Sequence, residues 1–238
     1  MAKEFLSRKG IPFVGVDVVN DPLGREQLLK LGIRNVPALA QGSRCILAQD
    51  LEAVAKFVGL DGTGRERLSP PEILEKWINV LRATQRYVRQ IPMSRMTERM
   101  TAERDRSVRV MGYHIFRVVE VYLAVIEDGA VYSSADTELP PTEQKSDASG
   151  DEIAVYGGTV IARLQRWWDG FEDKSFEQPV PTEYGMRSLQ EILERSAWHS
   201  AQHARQLIAV MERFGVEPDG RLTAKDLQGL PLPESVWG

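Results

Sequence analysis

Beyond residue 68, apolar positions recur at steps of three and four along four long stretches, which is the period of an amphipathic helix. The first opens with Ser69-Pro70-Pro71-Glu72, a capping box with proline at the first helical position. It places Leu74, Trp77, Ile78, Leu81, Thr84, Val88 and Ile91 on one face. The second, about Ser107 to Ile126, turns Val110, Met111, His114, Val118, Val121, Tyr122 and Val125 inward. The third, about Glu152 to Gly170, does the same with Ile153, Tyr156, Val160, Leu164 and Trp167. The fourth, Arg187 to Phe214, carries Leu189, Ile192, Leu193, Ser196, His199, Ser200, His203, Leu207, Val210, Met211 and Phe214 on its stripe. Four helices of this length predict a four-helix bundle. Between them, Pro92 to Arg106 shows no clear period, and Gly129 to Gly150 is polar with Pro140-Pro141, so both read as connections. The proline-rich tail is expected to pack over the bundle through Leu230, Leu232 and Trp237.

The first 60 residues follow a different, shorter rhythm. Ala2 to Lys9 reads as a helix stopped by Gly10, and Ile11 to Val18 alternates like a strand. Asn20-Asp21-Pro22 caps a second helix that runs to Gly32. Val36 to Ala40 and Arg44 to Leu47 flank a turn at Gly42-Ser43, and Asp50 caps a last helix, Leu51 to Val58. Alternation of this kind predicts a small α/β domain over residues 1–60, a Gly-rich linker over 61–68 and the bundle over 69–238.

Composition narrows the classes of function. The net charge is −4, and no Lys/Arg cluster interleaves with aromatics, so no nucleic-acid partner is expected. No apolar run approaches the ~20 residues of a membrane span, and the start lacks a secretory leader. The single cysteine, Cys45, excludes an internal disulfide and fits a reducing cytoplasm.

The chemistry lies in the histidines. The chain has only three, His114, His199 and His203, and each falls on an inward stripe. Residues four apart on a helix differ by ~40° and ~6 Å, so His199 and His203 can reach one ion, with His114 supplied by a facing helix. Three imidazoles plus an open position describe a divalent-metal site, while hydrogen-bonded core histidines are the plainer alternative. Ser196, Gln202, Glu120 and Tyr113 are candidates to support the ligands. His₃ suits zinc, nickel, iron and copper alike.

Two resemblances add to this reading. GYHIFRVVEVYL, WHSAQH and the terminal LPLPESVW make residues 69–238 resemble the DinB family of bundle proteins, which includes bacillithiol and mycothiol transferases. That resemblance implies a divalent ion, zinc or nickel, on His114, His199 and His203, and a homodimer. KEFLSRKGIPF, the VDVVNDP turn, NVPAL and the Asp50-capped helix resemble a glutaredoxin or thioredoxin-like domain. There the counterpart of Pro37 is cis, Val36 offers its backbone to a thiol peptide, and Asp50 stands at the helix end that meets a γ-glutamyl carboxylate. An edge-strand proline and a plain helix cap are the alternatives. The family's first strand and Cys-x-x-Cys loop are missing, so the redox chemistry of a helix-terminal thiolate is not expected here. This departure leaves strand edges unpaired. They close on each other, a partner fills the gap, or the native chain starts further upstream.

The combined expectation is a truncated thioredoxin-like α/β domain followed by a DinB-type bundle, whose His₃-bound metal activates a thiol, glutathione by resemblance, for transfer or isomerisation of a small-molecule substrate. A non-catalytic metal-binding scaffold is one alternative. A hydrolase using metal-bound water is another, with Glu120 as candidate base. Arg117, Arg163 and Trp198 are candidates to line a substrate cavity. Whether the chain is an enzyme stays open at this point.

Overall fold

The computed structural model describes residues 2–18, 20–33, 36–48, 51–62, 64, 66–102, 104–183 and 185–237, with the main chain alone at 104. The chain divides into two compact units. One comprises the residues up to Arg67 together with Pro233–Val236, and the other Leu68–Leu232 with Trp237.

The first unit holds helices α1 (Ala2–Arg8), α2 (Pro22–Lys30) and α3 (Leu51–Phe57) and one antiparallel hairpin, β1 (Ala38–Gln41) with β2 (Arg44–Leu47). Gly42 opens the two-residue turn with φ +63°, a conformation that favours glycine. Phe5, Leu6, Ala48, Val54 and Ala55 form a small core. Asp21 caps α2 by accepting from the Leu23 amide at 3.0 Å, ahead of Pro22. The strand expected at Ile11 to Val18 is not formed: among the described residues these join no ladder. Alternation supplies a strand's faces, but a strand also needs a hydrogen-bonding neighbour. The Val36–Pro37 bond is cis, the form the resemblance implies, while Asp50 lies outside the described residues.

The second unit is built on four long helices, α4 (Pro70–Gln90), α5 (Val108–Glu127), α7 (Gly150–Gly170) and α8 (Leu189–Arg213), with short α6 (Ser134–Glu138) between the second and third and α9 (Ala224–Leu227) after the last. Helices α4 and α5 each pack against both α7 and α8 around one apolar core. Their starts are set locally. Ser69, Ser149 and Ser188 each form a capping box with the glutamate three residues on, and Ser107 caps α5 by accepting from the Val110 amide at 3.3 Å. The inward stripes agree with the buried set, with Ile78, Val110, Trp167, His199 and Phe214 only partly buried. Leu230 and Leu232 pack on this core as expected of the tail, whereas Trp237 is exposed.

The Pro92 to Arg106 connection, which shows no clear period, contains a hairpin, and so does the stretch between α7 and α8. Strands β3 (Arg99–Thr101) and β4 (Arg104–Ser107) run directly into α5, and β5 (Pro179–Thr182) and β6 (Gly185–Ser188) run directly into α8. Each histidine-bearing helix is therefore entered from a hairpin.

Candidate metal centre

His114 projects from the second turn of α5, and His199 and His203 from successive turns of α8. The helices are clamped together beside the histidines. The Ser200 hydroxyl donates to the Ile115 carbonyl at 3.1 Å and accepts from Trp77 Nε1 at 3.0 Å, with the serine and the indole fully buried. One serine thus ties α4, α5 and α8 at the level where His199 faces His114.

The three rings form a tight triangle, with centroids 5.2 Å (His114–His199), 4.7 Å (His114–His203) and 4.8 Å (His199–His203) apart. One ligand nitrogen from each lies within 4.8 Å of the others, and among the described residues this is the group of three able to hold a metal. His114 and His203 are buried, while His199 is partly accessible.

The outer nitrogens orient the inner ones. His114 Nδ1 sits 2.7 Å from the Thr137 carbonyl of α6. A carbonyl only accepts, so Nδ1 carries the proton and Nε2 keeps its lone pair. His203 Nδ1 lies 2.8 Å from Gln206 Oε1, which leaves its Nε2 lone pair likewise free. His114 Nε2 and His199 Nε2 stand 3.3 Å apart. A tetrahedral ion with bonds of ~2.0–2.1 Å spaces its nitrogen ligands by about 3.3 Å, so this pair is already set. Closing the third ligand requires a shift of at most about 1.5 Å. The donor set therefore fits a divalent ion.

Electrostatics keep the imidazoles neutral, the form that ligates. Burial pushes His114 down to about 4, helped by the Arg106 cation and opposed by the Thr137 carbonyl. Burial pushes His203 down to about 3, helped by His114 and opposed by Gln206. His199, more open to solvent, is still enclosed closely enough that burial comes first; repulsion from His203, His114, Arg195 and Arg106 adds to it and holds the group well below its ordinary value.

The supporting residues differ from those expected. The carbonyl of Thr137 and the side chain of Gln206 orient the rings. Of the four candidates, Gln202 accepts from Arg205 at 2.7 Å and Tyr113 donates to the Glu143 carbonyl at 3.3 Å. Glu120 pairs with Arg117 at 3.0 Å, and the Ser196 hydroxyl is buried with no partner. Gln206 had a signal in its i+3 spacing from His203, whereas Thr137 acts through its main chain and has none. Glu120 lies six residues after His114, about 240° around the helix, so it belongs to another face. Among the cavity candidates, Arg163 pairs with Glu127, Arg117 pairs with Glu120, and the Trp198 ring lies 5.9 Å from that of His199. Val36 and Pro37, both exposed, belong to the first unit.

An imidazole triad set between two helices of a four-helix core, with His199 partly open to solvent, defines a helical protein able to hold a metal ion. The family model of the DinB superfamily matches residues 82–207, which is more than half of the chain and includes all three histidines. The chain belongs to the DinB superfamily. No curated protein matches it. No helix among the described residues is long and apolar enough to cross a membrane.

Proposed function

We propose that this chain is a divalent-metal enzyme that uses a thiol, glutathione by preference, as cosubstrate in a transfer or isomerisation reaction. The observation that carries the metal part is the convergence of Nε2 lone pairs, with the Nδ1 atoms of His114 and His203 held outward by Thr137 and Gln206. His114, His199 and His203 would hold the ion, and zinc or nickel suits the set. When bound, the ion supplies a position at which a thiol loses its proton. The protein's own residues bind and orient. The Ser200 clamp fixes the facing helices, and the accessible side of His199 is where a small molecule can approach. The thiol part is supported by the sequence resemblance of residues 1–60 to glutaredoxin-type domains. The hydrolase alternative loses support because Glu120 is engaged by Arg117 and turned away from the triad.

The test is titration of glutathione into cobalt-substituted protein, followed by visible absorption. New sulfur-to-cobalt charge-transfer intensity, absent with S-methylglutathione, is the expected result. An unchanged spectrum with a cobalt-loaded site rejects the thiol reading and leaves a metal-binding protein of another function.

A further inference from the structure

Helix α6 is five residues long and interrupts a polar connection, yet it touches the metal centre through the Thr137 carbonyl at 2.7 Å from His114 Nδ1. Two carboxylates fix its ends. At its start, Glu183 accepts from the Ser134 amide at 2.7 Å, from the Ser134 hydroxyl and from the Ser133 hydroxyl at 3.3 Å. At its end, Glu138 pairs with Arg106. Glu183 belongs to the β5–β6 hairpin that leads into α8, and Arg106 to β4, which leads into α5. The same region is joined by backbone bonds, Tyr132 N to Pro181 O at 2.9 Å and Glu183 N to Tyr132 O at 2.9 Å. Within the helix, the Thr137 hydroxyl donates to the Ser134 carbonyl at 2.7 Å, and Thr137 is buried.

We infer that Glu138 and Glu183 are positioning residues for the metal centre. They strap α6 between the two hairpins so that the Thr137 carbonyl holds the His114 proton on Nδ1 and aims Nε2 at the ion. The inference rests on the metal reading and extends it. A loose α6 frees His114 to rotate or to take the other tautomer, which removes one of three ligands from its place. Both tethers lie at the surface, where single ion pairs contribute little, so they must be cut together. Outer hydrogen bonds to a ligating histidine typically govern metal affinity over 10–100-fold.

The experiment compares native protein, the double variant Glu138→Ala/Glu183→Ala and the control Glu127→Ala, which removes a carboxylate that pairs with Arg163. Zinc affinity is read by competition with a chromophoric chelator, and the His114 tautomer by long-range nitrogen–proton correlation in the metal-free protein. The expected result is a native Nδ1–H on His114, a roughly tenfold weaker zinc affinity in the double variant and native affinity in the control. A double variant within twofold of native overturns the inference and leaves the metal reading standing. A native protein that binds no zinc overturns both. An Nε2–H tautomer in the native protein overturns the inference whatever the affinities show.

Discussion

Replacing Ser200 by alanine tests whether the helices around the triad are held by a single buried hydroxyl. The substitution removes the acceptor of Trp77 Nε1, 3.0 Å away, and the donor to the Ile115 carbonyl, 3.1 Å away, in a place closed to water. The Ile115 carbonyl still serves α5, so its loss is one ordinary hydrogen bond, about 1 kcal/mol. The indole N–H has no second partner and becomes a buried unsatisfied donor, which costs about 2 kcal/mol. The sum is about 3 kcal/mol. For a chain of this size that lowers Tm by roughly 6–12 °C. Urea and thermal unfolding of metal-free protein measure it directly. Against a Trp77→Phe background, where no donor is left to orphan, Ser200→Ala should cost only about 1 kcal/mol, a coupling of about 2 kcal/mol. A single-variant cost under about 0.5 kcal/mol, or additive costs in the cycle, would refute the clamp.

Two further outcomes follow from the packing and the buried imidazoles. Gly150 starts α7 directly against α4, and a methyl there would overlap the Val88 carbonyl. Gly150→Ala should therefore destabilise by about 3 kcal/mol in urea unfolding, whereas Gly170→Ala, which meets open space, should not destabilise. All three histidines have folded pKa values depressed below the ordinary 6.5, His114 to about 4 and His203 to about 3. Between these values the unfolded chain binds protons that the folded one refuses, so metal-free stability is full above pH 6.5 and is lost as pH falls towards 4. With three such groups the slope approaches about 4 kcal/mol per pH unit, and it should drop to about a third of that in the His199→Ala/His203→Ala variant. Equal slopes in the two proteins, measured by urea midpoints from pH 7 to 5, would contradict the assignment.

The four long helices were legible from a stripe at helical period in each, joined at Ser69 by a capping box; the caps at Ser107, Ser149 and Ser188 were carried by the sequence too but were found only in the structure. The juxtaposition of His114, His199 and His203 was legible from residue type and spacing, since no other histidine competes and each lies on a stripe. The hairpins before α5 and α8 were not. Their strands are too short and polar to alternate, and Pro179 and Pro181 argue against a strand although an edge tolerates them. The expectation at Ile11 to Val18 failed for the converse reason, a strand-like pattern with no ladder to join. Thr137 escaped notice because its contribution is a backbone carbonyl, a group every residue carries. Its value comes only from where α6 places it.

The central claim is that the three histidines hold a metal ion. The most direct measurement is metal content by mass spectrometry of untagged protein, beside the His199→Ala/His203→Ala variant purified in the same way. The account predicts about one divalent ion per chain in the native protein and none in a variant that remains folded by circular dichroism. A native protein without metal, even after dialysis against zinc and nickel, would contradict it and leave the triangle as three hydrogen-bonded core histidines.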